Sequence, residues 1–317
     1  MSVLCVSALK TDLWTGLERM LSPEIIQKIK RIHIKSGRMV DTMMAGSYRS
    51  VFRGTGIEFE EVREYAIGDD VKTIDWNVSA RMGRPFVKRY REERELVLML
   101  LVDVSASMGF GTTAVRKTDL AAETSAILAF NAIRNNDRVG AILFTDRVEK
   151  YIPPKKGASH IWRVIREIFT YTPEHRGTDM QAALSYLGRI YPGRTVAFLI
   201  SDFLSRDCSR GLRTVSRKHD LVSVFVTDRG DRALPAGGLV RVMDMETGGR
   251  KVIDASNKSV RKACEHRMAE QQAAVYAMLK TGDVDCIQIH ADRAAEQETH
   301  AADALARYFQ MRSKRMR

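Results

Sequence analysis

Residues 95–111 read ELVLMLLVDVSASMGFG. The apolar run 96–102 is followed at once by Asp103, Ser105 and Ser107. An unbroken apolar run ended by a charge reads as a strand buried on both faces, the kind found in parallel sheets. Ligands of open α/β sheets gather beyond the carboxyl ends of the strands, so the chemistry of this chain is expected there. If the backbone stays extended, alternation puts Asp103, Ser105 and Ser107 on one side of it.

Carboxylate and hydroxyl oxygens are the donors a hard divalent cation prefers: Mg²⁺, or another such as Mn²⁺ or Ca²⁺. Two further oxygens come from Thr178, just ahead of a helix-like segment, and from Asp202, which ends a second apolar run at 195–201. Asp103, Ser105, Ser107, Thr178 and Asp202 together resemble the metal-ion-dependent adhesion site of von Willebrand factor A domains: Asp-x-Ser-x-Ser, then a distant Thr, then a distant Asp. The resemblance implies a bound cation with one open position that accepts an acidic side chain. The same Asp and serines also suit a cap on a following helix. An aspartyl-phosphate mechanism of the haloacid dehalogenase kind wants a second Asp where Ser105 stands. Gly109-Phe110-Gly111 lacks the lysine of a phosphate loop.

The chain has 317 residues, enough for one large or two modest domains, and 44% hydrophobic with 28% charged residues is ordinary for a globular protein. The formal charge of +12 is not ordinary. It suits an acidic protein, nucleic acid or an anionic membrane surface, and the acid-seeking site favours the protein. Cys5, Cys208, Cys264 and Cys286 form no Cys-x-x-Cys pair, which points to reduced thiols rather than zinc or disulfides. The first dozen residues are too soon charged for a secretory signal, and no run reaches membrane-spanning length, so a cytoplasmic location is expected. His175, three residues before Thr178, reads as a solvated loop histidine, with a place near the cation as the alternative.

The expected fold is α/β: a doubly wound, mostly parallel sheet, von Willebrand factor A-like and Rossmann-like, with a small N-terminal β-rich subdomain. Three regions are expected. Residues 1–44 are a helical segment, with a helix start at Ser22-Pro23-Glu24 followed by Ile25, Ile29 and Ile32. Residues 45–95 are the β-rich subdomain, with alternation around Ile57 to Glu60 and Phe86 to Tyr90 and turns at Gly68 to Asp70 and Met82 to Pro85. In it Asp75 is expected to pair with Arg81, and Trp76 to anchor the network. Residues 96–317 are the sheet domain. It has helices on the faces of Leu120 to Asn131, of Ile161 to Ile168 and of Met180 to Ile190, a turn at Pro153-Pro154, a hairpin insertion near 240–254, and a C-terminal helix ending in a solvated basic tail. Asp146 and Asp228 read as turn or cap residues.

Gly54-Thr55-Gly56, Glu58-Phe59, Arg63-Glu64-Tyr65, Gly68-Asp69-Asp70, Ile74-Asp75-Trp76 and Ser79-Ala80-Arg81 carry a more specific resemblance, to bacterial domain-of-unknown-function family fifty-eight. That resemblance implies association with a MoxR-type AAA+ ATPase. The expected function is therefore a non-enzymatic, metal-dependent protein-binding module. It acts as adaptor or co-chaperone of such an ATPase, captures a Glu or Asp of its partner, and leaves room for peripheral contact with membrane proteins. Two other classes stay open. One is a metal-dependent phosphate hydrolase that uses an arginine of the run 81–94. The other is a nucleic-acid-binding protein, since that run carries six basic residues with Phe86 and Tyr90 interleaved.

Overall fold

A computed structural model describes residue 27 and residues 58–91, 96–205, 207–297 and 299–315. The expected helix at 22–32 and the glycines at 54 and 56 lie outside the described residues. The chain forms two compact units, Phe52–Leu96 and the remainder.

The smaller unit pairs β1 (Glu58–Glu64) antiparallel with β2 (Phe86–Arg91). Between them lies a helix that the turn-rich sequence hid, α1 (Trp76–Met82). Asp75 caps it by accepting from the backbone N–H of Asn77 and Val78 at 3.0 and 3.2 Å, and Gly83 ends it in the left-handed region at φ 69°. Asp75 makes its ion pair with Lys88, at 3.2 Å, and not with Arg81 as expected. A cap residue points back along its own helix, away from a side chain six positions on. Trp76 is 68% exposed, so the expected anchoring role is not the one it plays.

Among the described residues the larger unit is built on a six-stranded sheet. Its strands in chain order are β3 (Val97–Asp103), β4 (Arg138–Phe144), β5 (Val148–Lys155), β6 (Val196–Ser201), β7 (Asp220–Thr227) and β10 (Asp285–His290), and their order in the sheet is β10-β7-β6-β3-β4-β5. All neighbours are parallel except β5, which returns antiparallel along β4. β3 and β6 are the central pair, with Val102 opposite Ile200.

Helices cover both faces. Met99 and Leu101 of β3 point into one core layer with α4 (Met180–Ile190), α5 (Ser209–Ser216) and α6 (Lys258–Thr281). On the other face lie α2 (Lys117–Arg134), α3 (Ala158–Thr170) and α8 (His300–Arg315), the last preceded by the short α7 (Ala291–Glu296). There Phe130 of α2 meets Trp162 of α3 edge to face at 5.0 Å, and Phe198 of β6 meets Phe309 of α8 at 6.5 Å. Each β3 side chain from Leu98 to Leu101 is fully buried, which is why the run carries no polar alternation. β8 (Leu239–Met243) and β9 (Arg250–Asp254) form the hairpin, a separate two-stranded sheet.

Two expectations change here. Pro153-Pro154 does not turn the chain; both lie inside β5, an edge strand, at an irregularity where Val139 pairs with Lys155 and Ala141 with Ile152. Proline lacks the N–H a ladder needs and is tolerated at such edges. The C-terminal arginines are not all solvated tail. Arg312 holds Asp220 at 2.7 Å and touches the Tyr308 hydroxyl at 2.6 Å, fastening α8 to the start of β7.

The β4–β5 irregularity brings the chains so close that a Cβ on Gly140 would lie 2.8 Å from Met99 Sδ and 2.9 Å from Pro154 N. Gly140→Ala should therefore destabilise the protein by about 1–3 kcal/mol through overpacking, read as a lower denaturation midpoint at unchanged slope in urea.

Candidate functional site

The strand order reverses between β3 and β6: β4 follows β3 on one side, while β6 and β7 lie on the other. That topological switch opens a crevice at the carboxyl ends, where β3 ends in Asp103 and Asp202 follows the last residue of β6. Asp103 is buried, 1% exposed, and Asp202 is 3% exposed.

Each carboxylate oxygen at the base of this crevice has a hydrogen-bond partner. Asp103 Oδ1 accepts from the Ser105 N–H at 2.9 Å, and Oδ2 accepts from the Ser201 hydroxyl at 2.5 Å. The hydroxyls of Ser105 and Ser107 lie 3.1 Å apart. Asp202 Oδ1 accepts from the Leu204 N–H at 3.1 Å, and Oδ2 from Lys117 Nζ at 2.7 Å. Between them Phe203 adopts a left-handed backbone, φ 56°, an uncommon geometry for a bulky residue. Its ring is locked in the core against Phe225 at 5.6 Å, so packing holds the strained turn that presents Asp202.

The capping alternative fails on geometry. Ser105 precedes a short 3₁₀ turn, Ala106–Gly109, yet makes no side-chain cap bond to it, and α2 begins only at Lys117. The serine hydroxyls therefore face each other in the crevice.

Thr178 arrives on a loop pinned from three sides. The Ala106 N–H donates to Arg176 O at 3.0 Å and the Asp179 N–H to Thr145 O at 2.8 Å. Glu149, whose side chain is 2% exposed, accepts from Thr145 Oγ1, the Tyr171 hydroxyl and the N–H groups of Glu174 and His175, all within 2.8–3.0 Å. These bonds hold Glu149 below the usual carboxylate range although burial opposes them. His175 turns its Nδ1 to Glu149 at 3.3 Å. Thr178 lines the same cavity as Ser107 and Lys117, and its hydroxyl donates to Glu246 Oε1 at 2.7 Å. Ser105, Ser107 and the two aspartates are thus gathered at the crevice base, and Thr178 stands on its wall.

The sequence reading missed four partners. Ser201 and Glu149 are polar residues in strands with no motif around them. Lys117 looks like a surface lysine at a helix start, but it is 1% exposed and bridges Asp202 to Asp231, the latter at 3.4 Å. Its ammonium stays charged because those carboxylates outweigh the cost of burial, and it lies 5.6 Å from the Phe110 ring centroid. Asp231 follows β7 in a 3₁₀ turn capped by Asp228, which accepts from the Gly230 N–H at 2.9 Å.

One ammonium thus bridges Asp202 and Asp231, while Asp103 beside them accepts from Ser105 and Ser201. The deficit shows at Asp103: burial first, and the nearby Asp202 charge second, push its carboxyl up to about 7. Each carboxylate has roughly four lone-pair sites, so acceptor capacity remains on both aspartates. Such a donor set, hydroxyls and carboxylates with unbalanced negative charge, fits a hard divalent cation. Among the described residues no group of three or more His, Cys, Asp and Glu side chains is placed to hold a metal ion, so the hydroxyls would have to supply most of the remaining donors.

The family described as "Protein of unknown function DUF58" matches residues 61–274, and the chain belongs to that family. Uncharacterized proteins of Mycobacterium tuberculosis (strain ATCC 25618 / H37Rv) and Mycobacterium bovis (strain ATCC BAA-935 / AF2122/97) are each 32% identical to it over 229 residues, covering 71% of this chain and 72% of their own. Among solved structures, BatB from Bacteroides thetaiotaomicron aligns with a TM-score of 0.44 at 13% identity, over 69% of this chain and 99% of that one. An aerotolerance-related membrane protein from Bacteroides fragilis NCTC 9343 aligns at 0.43 with 14% identity, again over 69% and 99%. Among the described residues no helix is long and apolar enough to cross a membrane.

Two predictions follow from the charge balance. Asp103 is protonated in the folded chain up to about 7 and, once unfolded, releases its proton near 3.8, so its contribution to stability falls as pH rises through that window. In chelator, wild-type protein should lose more stability between pH 5 and pH 8 than Asp103→Asn, by urea denaturation. The buried His219 and His290, both pushed down to about 4, titrate alike in the two proteins. Lys117→Met should cost about 3–5 kcal/mol by leaving Asp202 unpaired, and Asp202→Asn in the same background should recover part of it in a double-mutant cycle.

Proposed function

We propose that this protein is a non-enzymatic, metal-dependent protein-binding module of the von Willebrand factor A type. In this reading Asp103, Ser105, Ser107, Thr178 and Asp202 hold a divalent cation, Mg²⁺ first among the choices. The observation that carries the reading is the buried Asp103 carboxyl beside Asp202 and the paired Ser105 and Ser107 hydroxyls at the switch point, where Lys117 engages Asp202 at 2.7 Å. A cation there supplies Lewis-acid attraction for one more carboxylate. The chain's own residues do the rest: Ser201 and the Ser105 N–H aim Asp103, Lys117 aims Asp202, and Glu149 holds the Thr178 loop.

The partner we infer is a protein offering a Glu or Asp, and the family resemblance favours a MoxR-type AAA+ ATPase on the cytoplasmic side, with this chain as its adaptor or co-chaperone. The size of the opening supports a protein partner over a metabolite. The groove above the site is about 1760 Å³, beyond the 300–1,000 Å³ of common small-molecule pockets, and Arg229, Arg241 and Arg261 line it beside Asp146, Asp179, Asp231, Asp244, Glu246 and Glu265.

Isothermal titration with Mg²⁺ and Mn²⁺, beside pull-downs of a MoxR-type ATPase with and without chelator, tests this reading. Wild type should bind the ion and retain the ATPase only when the ion is present. Asp103→Ala and Thr178→Ala should lose both while keeping their circular dichroism. Binding to a DNA duplex that ignores chelator but falls steeply with salt would instead mark the basic surface as a nucleic-acid site.

A further inference from the structure

The β8–β9 hairpin brings an acid of the chain's own to the cation site. Thr178 Oγ1 donates to Glu246 Oε1 at 2.7 Å across 68 residues of sequence. Glu246 sits in the hairpin turn, which is built to present it: Asp244 accepts from the N–H groups of Glu246 and Thr247 at 2.9 and 3.2 Å and from Thr247 Oγ1 at 2.6 Å, while the Gly248 N–H donates to Asp244 O at 2.8 Å. Hairpin residues Val240, Val242 and Met245 line the same groove as Ser107, Lys117 and Thr178.

Charge makes this contact informative. Asp202 and Asp231 already outnumber the Lys117 that bridges them, and Glu246 carries a further carboxylate to Thr178. Among the described residues the hairpin pairs with no strand of the main sheet, Leu239 and Val252 are 75% and 58% exposed, and an isolated two-stranded ribbon is only marginally stable. Its entry strand follows Gly237 and Gly238, at φ 124° and 58°, with nothing within 4 Å of where a Cβ would lie on either. These are positions where the backbone can swing.

We propose that Glu246 is a tethered ligand of the site: it takes the open position of the cation that Asp103, Ser105, Ser107, Thr178 and Asp202 hold, and an acidic side chain of the partner replaces it when the hairpin swings out. This rests on the cation reading above and adds a competitor to it. An empty site would admit any acid; a filled one admits only an acid whose neighbouring contacts in the groove outweigh the tether.

Bound Mn²⁺ reports the occupancy of that position through the water-proton relaxation it induces. Wild type, Glu246→Ala, Glu246→Gln and Asp103→Ala should be titrated with Mn²⁺, followed by acetate. Glu246→Ala should bind Mn²⁺ about tenfold more weakly than wild type, within the range seen when one supporting group of a metal site is lost. Its relaxation per bound ion should be higher, because water enters the vacated position, and millimolar acetate should lower it while leaving wild type unmoved. Glu246→Gln should behave as Glu246→Ala does. Equal affinity and equal relaxation in wild type and Glu246→Ala, with binding lost in Asp103→Ala, would overturn the tether and leave the cation site standing. Binding unaffected by Asp103→Ala, or no binding by wild type, would overturn both.

Discussion

Two aspartates meet where the central strands β3 and β6 end, in a crevice that gives them too little positive charge. The parallel pairing of those strands brings Asp103 alongside Ser201, and Asp202 follows immediately. Almost every irregular feature nearby serves that meeting. The left-handed Phe203 turns Asp202 inward, Lys117 is drawn into full burial at the start of α2, and Asp231 is held at the end of β7 by its own small turn. A buried carboxylate that is raised rather than fully paired is a cost a fold does not retain for stability alone, since packed apolar groups would serve better there. That is the physical reason for reading the crevice as a binding site.

The periphery is arranged around the same point. Glu149 leaves the edge strand β5 to collect four donors from the loop that carries Thr178, so the position of that hydroxyl depends on a residue outside the crevice. From the opposite side the β8–β9 hairpin lays Glu246 on the same hydroxyl. Thr178 is thus the junction between a rigid half, the pinned loop, and a loosely held half, the hairpin. The proposed exchange of one acid for another draws on that combination, the pinned loop fixing one side of the site and the hairpin supplying the displaceable side.

The smaller unit follows a different logic. Its hairpin and α1 are tied by local bonds: the Asp75 cap, the Arg63 pair with Asp69 at 2.6 Å and the Lys88 pair with Asp75. The run of motif residues from Arg63 to Arg81 that carries the family resemblance lies in this unit and not in the crevice. Its Trp76 and Ile67 are exposed, so the resemblance there is not explained by a buried core among the described residues.

The sequence by itself determined the sheet strands, the helices at Leu120, Ile161 and Met180, the hairpin near 240–254 and the gathering of Asp103 with Ser105 and Ser107. All of these rest on periodicity or on neighbours a few residues apart, where chain geometry alone decides what meets what. It missed α1 because a capped helix of seven residues among turn residues has no apolar period to display, and it misread Pro153-Pro154 because an edge strand tolerates what a central one does not. Only the tertiary structure decided that Lys117 is buried, that Ser201 and Glu149 hold Asp103 and the Thr178 loop, and that Glu246 reaches Thr178. Each of these joins residues from distant segments, and electrostatic balance in a closed space depends on which charges the fold brings together, a quantity that spacing along the chain does not contain.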